Sequence, residues 1–294
     1  MALDREDSMN AKTIALLELS NADFNNIRTL VHENTGSALS PAKKALVKRR
    51  FSPRLRALDL PSFGAYVDYL RSNFAQEGNY FCNAITTNLT SFYRENHHFE
   101  LLQKQVLPQL LKTKRQGERI RIWSAGCATG QEAYCLAITL LKNISDTQRR
   151  DVKILATDLD ENCLAIARKG AYPNKEFGTV SPDILNNYFA PEIVGTGQKA
   201  KSCYTASHKL KELITFNKLN LMEPWPMKGQ FDVIFCRNVF IYFDKETQLQ
   251  LLRGFAALQQ PGSYLCIGHS EIIPNPAQLG YQLIGKTAYR KKQA

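Results

Sequence analysis

From Ile120 onward the chain alternates short apolar runs with segments of helical period, and this alternation constrains the fold more than any other feature. The runs IRIWSAG, VKILATD, LITFNKLN, FDVIFCRN and SYLCIGHS end in turn residues, and QEAYCLAITLLKN, ENCLAIARKG and TQLQLLRGFAAL between them carry apolar residues at helical spacing. Strands joined through helices require crossover connections. The expected architecture is therefore a doubly wound, mostly parallel sheet with helices on both faces. GYQLIGKTAYRK reads as two short strands about Gly285, an antiparallel addition to the sheet edge. Between Tyr188 and Phe216 turn residues mix with polar strand-like stretches, which predicts a small inserted β subdomain at about 188–216.

The segment before this region reads differently. Asp23 is a candidate cap for a helix carrying Phe24, Ile27, Leu30 and Val31 on one side, with Gly36 ending it. Ser40-Pro41 and Ser52-Pro53 each look like an N-cap followed by proline at the first helical position, and Ser62 precedes the Phe63, Tyr66, Val67, Leu70 face. The expected organisation is an N-terminal helical domain over 1–82 and an α/β domain over 83–294.

Composition narrows the class. Of 294 residues 44% are apolar, enough for an ordinary core, and no apolar run approaches the roughly 18 residues of a membrane span. MALDREDSMNAK has none of the features of a signal peptide, and seven cysteines stand singly without a CxxC pair. These point to reduced, buried thiols in a cytoplasmic protein with no metal, so Asn88-Leu89-Thr90 is not read as a glycosylation site. The formal net charge of +11 calls for an acidic partner. Lys43, Lys44, Lys48, Arg49, Arg50, Arg54 and Arg56 lie between Pro41 and Arg56 with no acidic residue among them, where an ordinary solvated face mixes signs.

In an open α/β sheet ligands bind beyond the carboxyl ends of the strands. The first strand leads into Gly126-Cys127-Ala128-Thr129-Gly130, which lacks the G-x-G-x-x-G spacing of a pyrophosphate cradle. Asp158 closes the second strand, where a carboxylate can accept from both hydroxyls of a ribose, while Asp160 suits a helix cap. Later strands deliver Asn220-Leu221 and Arg237-Asn238. Such a set suits a nucleoside ligand without phosphates, and S-adenosylmethionine fits that description.

Taken in order, TTNLTSFYRE, IWSAGCATGQEAY, ATDLD, FNKLNL, FCRNVFIYFD and GHSE resemble the chemotaxis receptor glutamate O-methyltransferases, the CheR family, over roughly residues 20 to 290. The resemblance implies a class I S-adenosylmethionine-dependent methyltransferase domain behind a helical N-terminal domain, with the product S-adenosylhomocysteine. By motif it implies cofactor contacts at Asn88, Thr90, Arg94, Glu132, Asp158, Asn220, Leu221, Arg237 and Asn238, and catalytic roles for Arg94 and Tyr242. Glu132 is chemically suited to the cationic amino group of the methionine moiety. The implied partner is the cytoplasmic helical domain of methyl-accepting chemotaxis receptors, docked on the Lys43 to Arg56 patch. In some family members a receptor C-terminal tail also binds the β subdomain.

Other readings carry less. His97 and His98 are adjacent and expected to point apart, which makes poor metal co-ligands. His269-Ser270-Glu271 resembles a hydrolase triad only in composition, because triad members converge from distant segments. An RNA acceptor lacks a binding-module signature, and a sensing or scaffolding module without turnover is opposed by the presence of Arg94 and Tyr242. Neither nucleic acid nor membrane insertion is expected.

Overall fold

The computed structural model describes residues 17–114, 118–145, 151–194 and 201–292. Residues 1–16, 115–117, 146–150, 195–200 and 293–294 lie outside them. The chain divides into two compact units, Met1–Thr87 and Asn88–Ala294. The expected boundary after residue 82 falls inside a helix, Phe74–Ile85, whose buried face includes Phe81, Cys82 and Ile85. The helix cannot be cut there, so the division moves to its end.

In the first unit α1 (Asn21–Thr35), α2 (Lys44–Ala57), α3 (Phe63–Ser72) and α4 (Phe74–Ile85) enclose a core of aromatic and aliphatic side chains. Phe51 lies 5.6 Å from the Tyr66 ring and 5.3 Å from that of Phe81. The cap of α1 is Ser20 rather than Asp23: Ser20 Oγ accepts from the Asp23 N–H at 3.0 Å and donates to the Asp23 carboxylate at 2.7 Å. Gly36, at φ 70°, ends α1 as expected, and Ser62 caps α3 through the Ala65 N–H. Ser52-Pro53 starts no helix. Val47, Phe51 and Leu55 form one buried stripe through α2, and Pro53 sits on its exposed side. Burial of that stripe outweighs the hydrogen bond that proline forgoes.

The second unit begins with α5 (His97–Leu101), a π-helical turn (Leu102–Val106) and α6 (Leu107–Thr113). There follow β1 (Ile120–Ala125), α7 (Gln131–Asn143), β2 (Val152–Asp158), α8 (Glu161–Lys169) and β3 (Ala171–Pro173), then α9 (Pro182–Tyr188), β4 (Phe189–Val194), β5 (Lys201–Ala206), α10 (His208–Lys211) and β6 (Ile214–Lys218). The last elements are β7 (Val233–Cys236), α11 (Lys245–Ala257), β8 (Tyr264–Ile267), β9 (Tyr281–Gly285) and β10 (Ala288–Lys291). Seven strands form one sheet in the order β6-β2-β1-β7-β8-β10-β9. The first five are parallel and the terminal hairpin is antiparallel, as the sequence indicated.

Side chains on these strands alternate between two apolar layers. Ile122, Ile154 and Phe235 pack on the side of α7, whereas Trp123, Ile234 and Leu265 pack on the side of α11. From β1 the chain winds outward to β2 and β6, then returns to place β7 on the other side of β1. The strand order therefore reverses between β1 and β7, and the crevice at their carboxyl ends is where such a sheet binds its ligand.

The inserted subdomain is a three-stranded antiparallel sheet, β3-β5-β4. It starts at Ala171, earlier than the expected 188, and closes at Ala206; residues 214–216 belong to β6 of the main sheet. Its first strand is only three residues long and ends in proline, too short to show periodicity. All seven cysteines are free and buried. No helix of the described residues is long and apolar enough to cross a membrane.

Candidate active site

The crevice between β1 and β7 is built first from backbone. Gly126 (φ 80°) and Cys127 donate their N–H groups to the Thr157 carbonyl at 2.8 and 2.9 Å, turning the chain sharply out of β1. A Cβ on Gly126 would lie 2.5 Å from Val239 Cγ2, so only glycine lets this loop approach the one after β7. Ala128 is left-handed at φ 47°, a conformation costly for a residue with a Cβ. Its N–H is held by Asp158 Oδ2 at 2.7 Å, while Asp158 Oδ1 accepts from the Asp160 N–H at 2.9 Å. Burial pushes the Asp158 carboxyl up, and these N–H groups oppose that shift. Asp158 thus organises the glycine loop, a role the sequence did not suggest.

Next to it Leu219 N–H bonds the Asp158 carbonyl at 3.0 Å, which brings Asn220 and Leu221 alongside the end of β2. The Asn220 side chain accepts from the Met222 N–H and donates to Glu223. Asp160 caps α8 as expected and also accepts from Asn88 Nδ2 at 2.8 Å, fixing the start of the NLTSFYRE stretch to the same rim. Thr90 is half-buried on that stretch.

The charged centre is Arg237, 6% exposed at the end of β7. Its guanidinium meets Glu132 Oε2 at 3.1 Å and Glu95 Oε2 at 3.4 Å, and donates to the Arg94 carbonyl. Glu132, in the first turn of α7, also accepts from Ser124 Oγ at 2.7 Å. Burial pushes the Glu132 carboxyl up, and Arg237 and Ser124 pull against it. Glu95 accepts further bonds from Asn238 Nδ2 at 3.1 Å and from the His269 ring at 2.8 Å. Although burial pushes the Glu95 carboxyl up, His269, Arg237 and Asn238 outweigh it and hold it down at about 2.

Glu95 lies inside NLTSFYRE, but nothing local in the sequence assigns it a role. Its neighbours show why the backbone matters: Tyr93 and Glu95 are both left-handed, at φ 53° and 54°, and Asn238 is left-handed at φ 59°. Such positions are strained and persist only where surrounding bonds over-determine them. Between the two strained residues, Arg94 donates one guanidinium N–H to the Leu89 carbonyl at 2.7 Å. Tyr242 is half-buried in the short turn Phe240–Tyr242, and Phe240 is the aromatic that enters the core.

The adjacent histidines do not point apart. Their ring centroids are 4.1 Å from each other, and with Glu95 they bring potential ligand atoms within 4.8 Å of one another. Both residues open α5, where helical side chains lean toward the N-terminus and no preceding turn keeps the two rings apart. Arg237 faces the same Glu95 oxygen, and its charge opposes a metal cation there. His98 Nε2 bonds the Lys286 carbonyl at 3.0 Å, and burial, with Arg237, pushes its imidazole down to about 4.

The basic stretch is only partly free to dock. Arg50 reaches the carbonyls of Ala84, Ile85 and Thr86 at 3.1, 2.8 and 2.7 Å, closing the end of α4. Arg54 grips the buried Glu77 with two bonds, at 2.8 and 2.5 Å. Lys44 meets Asn21 Oδ1 at 2.6 Å. Lys43, Lys48, Arg49 and Arg56 are exposed.

A doubly wound sheet, a phosphate-free glycine loop, an acidic strand end and carboxylates in excess over guanidiniums define a class I S-adenosylmethionine-dependent methyltransferase. The chemistry of the donor set fits that cofactor: Asp158 offers a carboxylate at a strand end, suited to a diol, and the Glu132–Arg237–Glu95 group has two carboxylates to one guanidinium, suited to a cationic amino group. Residues 88–289 match the family model for the CheR methyltransferase S-adenosylmethionine-binding domain, and 22–86 match the CheR all-alpha domain. The chain belongs to the CheR methyltransferase family. It is 44% identical to a probable chemotaxis protein methyltransferase of Rhizobium etli, covering 89% of this chain and 96% of that one. Identity to the chemotaxis protein methyltransferases of Salmonella typhimurium and Escherichia coli is 40% and 38%, with 93% of this chain and 91% and 92% of theirs covered. The RNA-acceptor and binding-only readings gain no support from these relatives.

Proposed function

We propose that this chain methylates glutamate side chains in the cytoplasmic helical domain of chemotaxis receptors, forming carboxyl methyl esters. The observation that carries this reading is the buried Glu132–Arg237–Glu95 group, joined to the backbone of Arg94 through the Arg237 guanidinium. When bound, S-adenosylmethionine supplies an electrophilic methyl group on a sulfonium. Asp158, supported by Asn220, holds the ribose hydroxyls and Glu132 the amino group, while Asn88, Thr90, Leu221, Arg237 and Asn238 complete the cofactor contacts. A glutamate carboxylate has an ordinary pKa of about 4.3, so at neutral pH it is ionised and no residue need act as general base. Arg94 aligns that carboxylate through a charge-assisted contact and Tyr242 orients it through its hydroxyl. Exclusion of water from the crevice strengthens both interactions.

The receptor would dock on the exposed basic residues Lys43, Lys48, Arg49 and Arg56, with Lys44 at their margin. A receptor tail pairing with a strand of the inserted sheet is the corresponding mode for that subdomain. Cytoplasmic localisation follows from this acceptor.

The test is incubation with methyl-labelled S-adenosylmethionine and receptor-containing membranes, reading label released as methanol by mild base. Receptor-dependent, base-labile label that falls about 100-fold in Arg94→Ala is the expected result. Base-stable label, or label in RNA, would overturn the acceptor.

A further inference from the structure

Glu271 is a buried carboxylate, 5% exposed, on the loop after β8, and none of the ion pairs of the described residues involves it. Its counter-groups are backbone N–H donors. Oε2 accepts from Gly268 at 2.5 Å and from Asn238 at 3.1 Å, and Oε1 accepts from Ile241 at 3.3 Å. Two of these donors belong to the loop after β7, the one that carries Arg237, Asn238 and Tyr242. Burying an anion is costly, and burial pushes this carboxyl up against the N–H groups that pull it down. Only a carboxylate accepts at both of its oxygens, and both are used here to hold N–H groups of two loops.

Asn238 keeps a left-handed backbone, φ 59°, while its amide reaches Glu95. The Tyr242 N–H closes the next turn onto Val239 at 3.2 Å. An anion collecting N–H groups on either side of this turn fixes both the strained residue and the residue after Ile241. Gly268 completes the device: a Cβ there would stand 2.7 Å from Asn238 N, 2.6 Å from Asn238 Nδ2 and 2.8 Å from Glu271 Oε2. The two loops can approach only because this position is glycine.

We propose that Glu271 is a positioning residue for methyl transfer, its carboxylate clamping the loop after β7 so that Asn238 faces the cofactor and Tyr242 the acceptor. This rests on the roles given above to Asn238 and Tyr242. Glu271 touches neither ligand. Its replacement by glutamine keeps the shape but turns an amide toward backbone N–H donors, releasing the loop.

The experiment is a pair of double-mutant cycles in the full chain. S-adenosylhomocysteine affinity is measured by calorimetry for Glu271→Gln, Asn238→Ala and the double variant, and kcat on receptor-containing membranes for Glu271→Gln, Tyr242→Phe and theirs. Glu271→Gln is expected to lower kcat about 100-fold. Combined with Tyr242→Phe, or with Asn238→Ala for affinity, it should add less than about 3-fold to the single variant's loss. Additive losses in both cycles, the result of a merely structural role, would overturn the proposal, as would wild-type kcat in Glu271→Gln. Wild-type kcat in Tyr242→Phe alone would instead remove the Tyr242 role, and the affinity cycle would then decide Glu271. If Glu271→Gln does not fold, Gly268→Ala, which wedges the clamp while keeping its charge, must reproduce the non-additive losses or the proposal fails.

Discussion

At the scale of single residues, two carboxylates and one imidazole define how the site responds to change. Asp158 holds the strained Ala128 loop and, in the proposed function, the ribose hydroxyls, so Asp158→Ala would remove a loop anchor and the proposed ligand contact together. Cofactor affinity is expected to fall about 100-fold by calorimetry, and an unchanged value would remove the ribose role. His98 binds its proton only near about 4, against an ordinary value of 6.5, because it is buried beside Arg237. The unfolded chain therefore takes up this proton first as the pH falls. Stability from His98 is complete above pH 6.5 and is lost toward pH 4, by about 3 kcal/mol. Urea midpoints across that range should show the slope, and His98→Gln should flatten it. Glu95 acts in a lower window, since its stabilisation fades only below its ordinary carboxylate range. Asp158 and Arg237 are legible as candidates because strand-end position and motif both point to them, and Arg94 from the motif alone. Glu95 and Glu271 are not, because each works through contacts with segments remote in sequence, His269 and Asn238 for one and the β7 loop for the other.

At the scale of elements, packing decided where local signals competed. The parallel strands were readable because each is an apolar run bounded by turns, and their burial on both faces removes the alternation of a half-exposed strand. Ser52-Pro53 has the chemistry of a helix start, but a stripe of buried residues at every fourth position carries α2 straight through it. Likewise Arg50 and Arg54 read as part of a docking face, whereas the fold uses Arg50 to close the end of α4 and Arg54 to pair the buried Glu77 in its first turn. Arg54 meets Glu77, which is 1% exposed and also receives the Tyr66 hydroxyl at 3.0 Å. Arg54→Met would leave that carboxylate buried without its cation, at an expected cost of about 3 kcal/mol in urea denaturation. A loss below about 1 kcal/mol would show that water reaches Glu77 instead.

At the scale of the whole molecule, the net charge of +11 becomes a statement about association. Exposed charges act over about 8 Å at physiological ionic strength, so receptor methylation should weaken as salt rises while cofactor affinity stays level. Reversing Lys48 and Arg49 to glutamate should lower methylation and flatten that salt dependence. Equal loss of cofactor affinity would mean misfolding rather than lost docking. Every candidate cofactor ligand, from Asn88 to Asn238, falls within the unit Asn88–Ala294, and the basic docking residues all fall within Met1–Thr87. On the docking proposed above, the contacts of the basic patch and the chemistry are written in separate stretches of the gene, so exchange of the segment before codon 87 would alter the first while leaving every proposed cofactor ligand in place.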